Sequence, residues 1–558
     1  MAVKVREEVV RTEFVIVGGG LGGLQAAIDS AQKGLDTLVV EKADTRRSGC
    51  GANGNDHFAC YIPECHGDFE RAVREVGMTM DGGPWQDMCM LRTWLGRSFE
   101  VVQMWEEFGI NMRPTGKWNF EGHSLPGNQR YHLKFDGYNQ KQVLTDKAKE
   151  FGAKIMNKTM ITELLTNDQG RVIGAIGINT SADEPEVVLF EAKSVLLAPG
   201  MASRVYPGIT PAYMFNLPCC PAVAGSGHAL SYRAGAKLVN MDILQGHAGP
   251  KYFARGGKGT WIGVSSTVRG ECVAPYNTKP SRETGDVVAD VWPSVYRDKM
   301  LDGTGPTFMN CTELSDEDMD FMLHSAFVSE GIDSITDYLE QYHIDLKEEM
   351  IEFGSYNPTV AQRGVETDEH AATSVPGLYA AGDCTGNASG SVTGAVVFGM
   401  IAGESAAEYV KNVDYESVEG HPLVAERVQL YSEMMDRTEG AHWKEAASTL
   451  QNIMNEYAGL SLKSQDIMST GLEYLHQLKE YSLRQMAAEN AHELMRSLEI
   501  LDMIDVGESI IYCGMNRKES RGPHKRVDYT YTNLLLNNKY QTIYKKGEEV
   551  VMEYRNRR

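Results

Sequence analysis

The segment that most restricts this chain is "EFVIVGGGLGGLQAAIDSAQKGLDTLVVEKA", beginning at Glu13. Phe14 to Val17 is a short apolar strand. Gly18, Gly20 and Gly23 follow in G-x-G-x-x-G spacing, with Leu21 and Gly22 between, and an alanine-rich helix and a second strand, Thr37 to Val40, lead to Glu41. A strand, glycine turn, helix, strand and acid in this order suit a dinucleotide. The glycines let backbone N–H groups approach a pyrophosphate at a helix N-terminus, and the acid accepts ribose hydroxyls. The expected fold class is α/β, with a Rossmann-like domain at the start of the chain.

At 558 residues the chain can bury more than one core, and two or three domains are expected. Its formal charge of −22 argues against a nucleic-acid partner. From Gly514 onward the balance reverses, with 11 Lys/Arg against 5 Asp/Glu. That basic tail is either a solvated end or a docking surface for an acidic partner. No apolar run reaches the roughly 18 residues of a membrane span, and the opening strand does not read as a signal peptide. The ten cysteines include no C-x-x-C spacing, so the chain does not read as an iron–sulfur or zinc protein by itself, and reduced thiols point to the cytoplasm.

Four regions are expected along the chain. Residues 1–212 form the first part of the dinucleotide domain. Within them, the Gly- and Asn-rich "RRSGCGANGNDHFACY" is a loop able to face a flat ring, Lys154 to Leu165 is extended, and Val172 to Ile176 is a strand. Residues 213–345 form an inserted α+β capping domain, with a helix over Gly225 to Ala236 and a helix capped by Ser315. Residues 346–423 return to the first domain through "YAAGDCTG" and a small-residue helix. Residues 424–558 form a helical domain, with helices over Ala446 to Tyr457 and Leu478 to Leu498 and an irregular last 40 residues.

"VIVGGGLGG…VVEKA", "RRSG", "TVRGEC", "GPTFMNCTEL", "GVETDEHAATSVPGLYAAGDCTG", "AVVFGMIAG" and "ESRGPHKRVDY" together resemble the fumarate reductase/succinate dehydrogenase flavoprotein family, including its adenylylsulfate reductase α-subunit branch. The resemblance covers nearly the whole chain. It implies a glutathione-reductase-type FAD domain with a cap, and an FAD-dependent oxidoreductase subunit of anaerobic metabolism. It also implies a ferredoxin-like iron–sulfur partner and peripheral association with a membrane complex through partners. The implied FAD set is Gly18, Gly20, Leu21, Gly22, Gly23, Glu41, Lys42, Arg47, Ser48, Gly49, Asn53, Gly54, Met160, Ala198, Gly200, Gly382, Asp383, Ser391 and Val392.

Departures from the family pattern narrow these expectations. Gly49 stands where flavinylated relatives carry a histidine, so FAD should be non-covalent. Thr359 replaces the substrate histidine of the dicarboxylate enzymes, a second substrate arginine is missing near Gly386, and Ala59 replaces the flavin-side asparagine of the adenylylsulfate enzymes. Arg269 matches the family's proton-delivering arginine, with Glu271 beside it. His247, Lys251 and Arg255 lie in a Gly-rich loop suited to anions, Arg363 adds a charge near the expected active-site wall, and His57 follows the ring-facing loop. Flavin would carry the redox chemistry while these residues position a small anionic substrate. Alternatives are an adenylylsulfate reductase α-subunit, a fumarate reductase-like or stand-alone ene-reductase, and a non-catalytic electron-transfer subunit.

Overall fold

The structure is a computed structural model that describes every residue except 1–2, 53, 79–85, 122–123, 125–126, 209–216, 218, 245–247, 252–260, 274–277, 283–294, 330–331, 333, 356–357, 389–390 and 461. Val10–Val17, buried over its last four residues, runs into the glycine turn and the helix Leu21–Gln32. It pairs in parallel with Thr37–Val40 on one side and with Glu186–Leu197 on the other. The sheet is completed by Lys154–Met156 at one edge and by the antiparallel strands Val172–Asn179 and Thr159–Thr166 at the other. Leu378–Ala380 adds in parallel beside Glu186–Leu197, which brings residues 378–412 back to the first domain.

The return helix Val392–Tyr409 lies against Leu21–Gln32 almost backbone to backbone. A Cβ added at Gly399 would stand 2.2 Å from the Gly22 carbonyl oxygen, and one at Gly403 2.8 Å from that of Ala26. Only glycine permits this crossing, which explains the small residues of both helices.

The inserted region has its own antiparallel sheet, ordered Ala248–Pro250, Ile351–Ser355, Thr307–Asn310, Val264–Ser266. Trp261, Phe327 and Phe353 form a separate core beneath it. This sheet starts and ends later than the expected 213–345. Leu238–Val239 belongs elsewhere, between Gly364–Val365 and the C-terminal strand Lys539–Lys546. The last 40 residues are therefore not irregular: Lys539–Lys546 and Glu549–Asn556 form a hairpin around Gly547. The single helix expected over Leu478 to Leu498 is also corrected. Gln465–Gln485 ends at Met486, and Ala491–Asn516 starts afresh where the Asn490 side chain accepts from the Glu493 N–H at 3.0 Å.

Helix Ala491–Asn516 carries a buried acidic row at spacings of three, Glu499, Asp502, Asp505 and Glu508. Glu499 binds Lys42 at 2.6 Å, Arg496 at 2.9 Å and the Arg204 guanidinium. Arg233 meets Asp502 and Asp505 at 2.8 Å each and Glu163 at 3.1 Å. Burial pushes the Glu499 carboxyl up, but Lys42, Arg204 and Arg496 outweigh it and draw it down to about 2. A carboxyl with a lowered folded-state pKa stabilises fully above its unfolded value and loses that contribution as pH falls through the folded one. Glu499→Gln should therefore lower the melting temperature markedly at pH 7, by the roughly 3–5 kcal/mol of a broken buried pair. The deficit against wild type should shrink as pH falls from about 4.5 toward 2. Parallel melting curves across this range check it.

Candidate functional site

The glycine turn opens into a cavity enclosing about 1170 Å³ of empty space, its mouth included. Gly18, Gly20, Leu21 and Gly22 line it from the turn, and Glu41 and Lys42 from the end of the second strand. Ser48 and Gly49 come from the following loop and Met160 from Thr159–Thr166. Ala198 and Gly200 line it from the end of the central strand, and Gly382, Asp383 and Val392 from the return segment. Gly20 caps Leu21–Gln32, and Ser391 caps Val392–Tyr409 by accepting from the Gly394 N–H, so two helices begin at this cavity with the positive ends of their dipoles beside it. Gly23, Arg47, Gly54 and Ser391 do not line it, and Asn53 lies outside the described residues.

Three observations bear on whether a flavin dinucleotide suits this cavity. A Cβ at Gly20 would meet only the Ala198 carbonyl oxygen, at 3.7 Å, so Gly20 faces open space. The Ser48 hydroxyl is buried with no hydrogen-bond partner among the described residues. The Glu41 carboxylate is fixed by backbone N–H groups, accepting from Gly19 and Ala43 at 2.7 Å each. A phosphate acceptor beside Ser48 and a ribose beside Glu41 complete these groups, so the residues fit FAD. Gly49 at the wall offers no side chain for a covalent link. Lys42 lines the cavity, but its amine is committed to Glu499 and the Ala222 carbonyl.

The sequence reading missed Lys141. It is 1% exposed, and its amine donates to the Gly19 carbonyl behind the glycine turn. No carboxylate of the described residues forms an ion pair with it. Burial pushes the amine down to about 8, with Glu41 and Asp44 pulling the other way at longer range. A buried cation behind the turn adds to the positive potential where the pyrophosphate would lie. The wall formed by Ala222, Val223 and Ala224 was missed as well, because nothing in an apolar loop announces a nucleotide.

The catalytic candidates do not gather in one place. Arg269 and Glu271 are exposed on the turn after Val264–Ser266, where the Arg269 N–H donates to the Thr267 hydroxyl at 3.3 Å. Lys251 pairs with Glu352 at 2.5 Å on the capping sheet. Arg363 is buried, and its guanidinium donates to the backbone carbonyls of Ile243, at 2.8 Å, and Gln362. Burial lowers it to about 10, with Tyr540 and Asp242 opposing. His247 and Arg255 lie outside the described residues. His57 does not line the cavity but follows Asn55, which does, by two residues, and Arg363 follows Gln362, whose N–H donates to the carbonyl of the lining residue Asp383 at 3.3 Å.

Gly20 and Gly23 should fail differently when replaced by valine. Gly20→Val should fold and lose FAD, because its side chain enters the cavity. Gly23→Val should not fold, since its Cβ would stand 2.0 Å from the Gly18 carbonyl oxygen. Circular dichroism and the flavin absorbance ratio separate the two. Lys141→Met should weaken FAD binding about tenfold or more, the scale of a charge interaction of about 1–2 kcal/mol. Wild-type affinity should fall as pH rises through about 8, while the variant stays flat; flavin-fluorescence titration of the apoprotein from pH 6.5 to 9.5 measures both.

A family model described as an FAD binding domain matches residues 13–396, and one described as the fumarate reductase flavoprotein C-term matches residues 447–557. One of the subunits of the fumarate reductase (CoM/CoB) of Methanothermobacter marburgensis is 25% identical over 96% of this chain and 98% of its own. A fumarate reductase flavoprotein subunit of Mycobacterium tuberculosis is 26% identical over 92% of each chain. The solved adenylylsulfate reductase of Archaeoglobus fulgidus superposes with a TM-score of 0.84 at 23% identity, covering 99% of this chain and 96% of that one. With a glycine-turn cavity fitted to FAD and both halves of the flavoprotein matched, the chain belongs to the fumarate reductase/succinate dehydrogenase flavoprotein family and is an FAD-dependent oxidoreductase.

Proposed function

We propose that this protein is the catalytic FAD subunit of an oxidoreductase that moves two electrons between FAD and a small anionic substrate, exchanging them with a ferredoxin-like iron–sulfur partner. The observation that carries the reading is the FAD cavity, built from both ends of the first domain, in a chain that also carries an inserted sheet with its own core. The relatives named as subunits of fumarate reductases support the division of labour. Among the described residues no helix is long and apolar enough to cross a membrane. Cytoplasmic placement, with any membrane contact made through partners, is part of the proposal.

Bound FAD supplies the two-electron redox chemistry. The chain's own residues hold it through the glycine turn, Glu41 and Ser48. In this reading Arg269 is the anion-holding group, its planar fork matched to a carboxylate or sulfonate, and Glu271 is its neighbour on the same turn. The exposure of both suits a group that meets an incoming substrate.

Anaerobic reoxidation of the photoreduced protein against fumarate, sulfite with AMP, sulfonates and aromatic enoates tests the substrate class. One member of the panel should restore the oxidised flavin spectrum. Arg269→Lys should retain FAD and raise KM for that acceptor with a smaller change in kcat, as expected where geometry rather than charge is lost. Unchanged kinetics would remove Arg269 from the site.

A further inference from the structure

Of the ten cysteines, Cys50 is the one that lines the FAD cavity among the described residues. Its loop is pressed against the start of the first helix. A Cβ added at Gly51 would stand 2.9 Å from the Leu21 side chain, and the Gln140 amide donates to the Gly51 carbonyl at 3.0 Å. Another part of the wall is Ala222, Val223 and Ala224, and Cys219 and Cys220 stand just before it in the chain. This second loop is pinned by the Ser203 hydroxyl, which lies 2.8 Å from the carbonyl oxygens of both Cys220 and Val223.

The two loops meet at sulfur. The N–H of the peptide that joins Cys219 to Cys220 is turned toward the Cys50 sulfur, and both neighbouring thiols act on it electrostatically, Cys219 the more strongly. Burial, then Cys219, Asp383 and Cys220, push the Cys50 thiol well above its ordinary value, against the pull of that N–H. Reduced Cys50 is therefore held as a protonated thiol, a poor nucleophile. Its accessible surface opens onto the cavity, so the space it faces is the cofactor's. Cys219 and Cys220 are half-buried and do not line the cavity, so the thiol surface outside it is theirs. Adjacent cysteines bridge one another only with strain, which leaves Cys50 as the partner across the two loops.

We propose that Cys50 and Cys219 form a redox-active dithiol–disulfide pair that exchanges two electrons between bound FAD and a small external thiol or disulfide. The pair uses the FAD cavity alone and is independent of the anionic substrate. In one half-reaction the Cys50–Cys219 disulfide takes two electrons and two protons from reduced FAD, its S–S bond breaks, and two thiols result. In the other, Cys219 attacks a small disulfide, and its proton goes to the thiolate that leaves. Cys50 then attacks the mixed disulfide at Cys219, and its proton goes to the second leaving thiolate. Two small thiols are released and the protein S–S bond is restored. Run backward, the same steps carry electrons from an external dithiol to FAD. Position sets the roles: Cys219 meets the outside molecule and Cys50 the cofactor.

Anaerobic reductive titration of the full-length, oxidised holoprotein reads the pair directly. Wild type should take up four electrons per FAD, two for the flavin and two for the disulfide. Cys50→Ser and Cys219→Ser should each take up two while still holding FAD, and Cys220→Ser should still take up four. Peptide mapping after alkylation should show Cys50 linked to Cys219 in the oxidised protein and both alkylated after reduction. Reduced dithiothreitol, added without oxygen, should bleach the wild-type flavin absorbance and leave that of Cys219→Ser unbleached over the same time. Two-electron uptake by wild type, a link from Cys50 to Cys220, or independent alkylation of Cys50 and Cys219 in the oxidised protein overturns the proposal. None of these readings uses the acceptor panel, so the anionic-substrate reading stands or falls separately.

Discussion

The near-contact of two backbones, at Gly22 and Gly399, is the constraint on which the cofactor domain depends. Residues almost 380 positions apart in the chain must meet there without side chains between them. Once they do, the first helix and the return helix begin beside the same cavity, and their N-termini point at one place. This closure does not use the inserted region. Its sheet has a separate aromatic core and communicates with the cofactor domain through contacts such as that of Phe321 with Lys134.

Much of the cofactor side was legible in the sequence, because glycine and small-residue spacings are local and have few physical explanations. The turn at Gly18, Gly20 and Gly23, the acid at Glu41 and the return at Gly382 to Val392 each reflect a backbone approach or a helix start. Lys141 was not legible. A lysine inside "YNQKQVLTDK" looks like the solvated face of a helix, and only the tertiary fold buries its amine behind Gly19. The acidic row from Glu499 to Glu508 was hidden in the same way, since charges at a spacing of three ordinarily mark an exposed helix face. The C-terminal hairpin was read as irregular because its strands are polar and its pairing partner, Leu238–Val239, lies 300 residues earlier.

The substrate side was legible as residue types rather than as a place. Arg269, Arg363 and Lys251 share a charge, yet the fold sends them to an exposed turn, a buried joint and a surface ion pair. The family pattern carries Arg269 forward, but nothing in its residue type tells that the fold leaves it on an exposed turn.

The Glu499 cluster has a bearing on where this protein can be cut. One carboxylate in the long C-terminal helix neutralises Lys42 at the cavity wall, the buried Arg204 and its own neighbour Arg496. A chain ended after the return helix would keep the whole glycine turn and still leave two cations without their counter-charge, one of them at the edge of the nucleotide cavity. By sequence the molecule divides into a cofactor module and a helical appendage. Electrically it does not divide, and the smallest unit able to hold the nucleotide in its native setting extends into the fifth hundred of its residues.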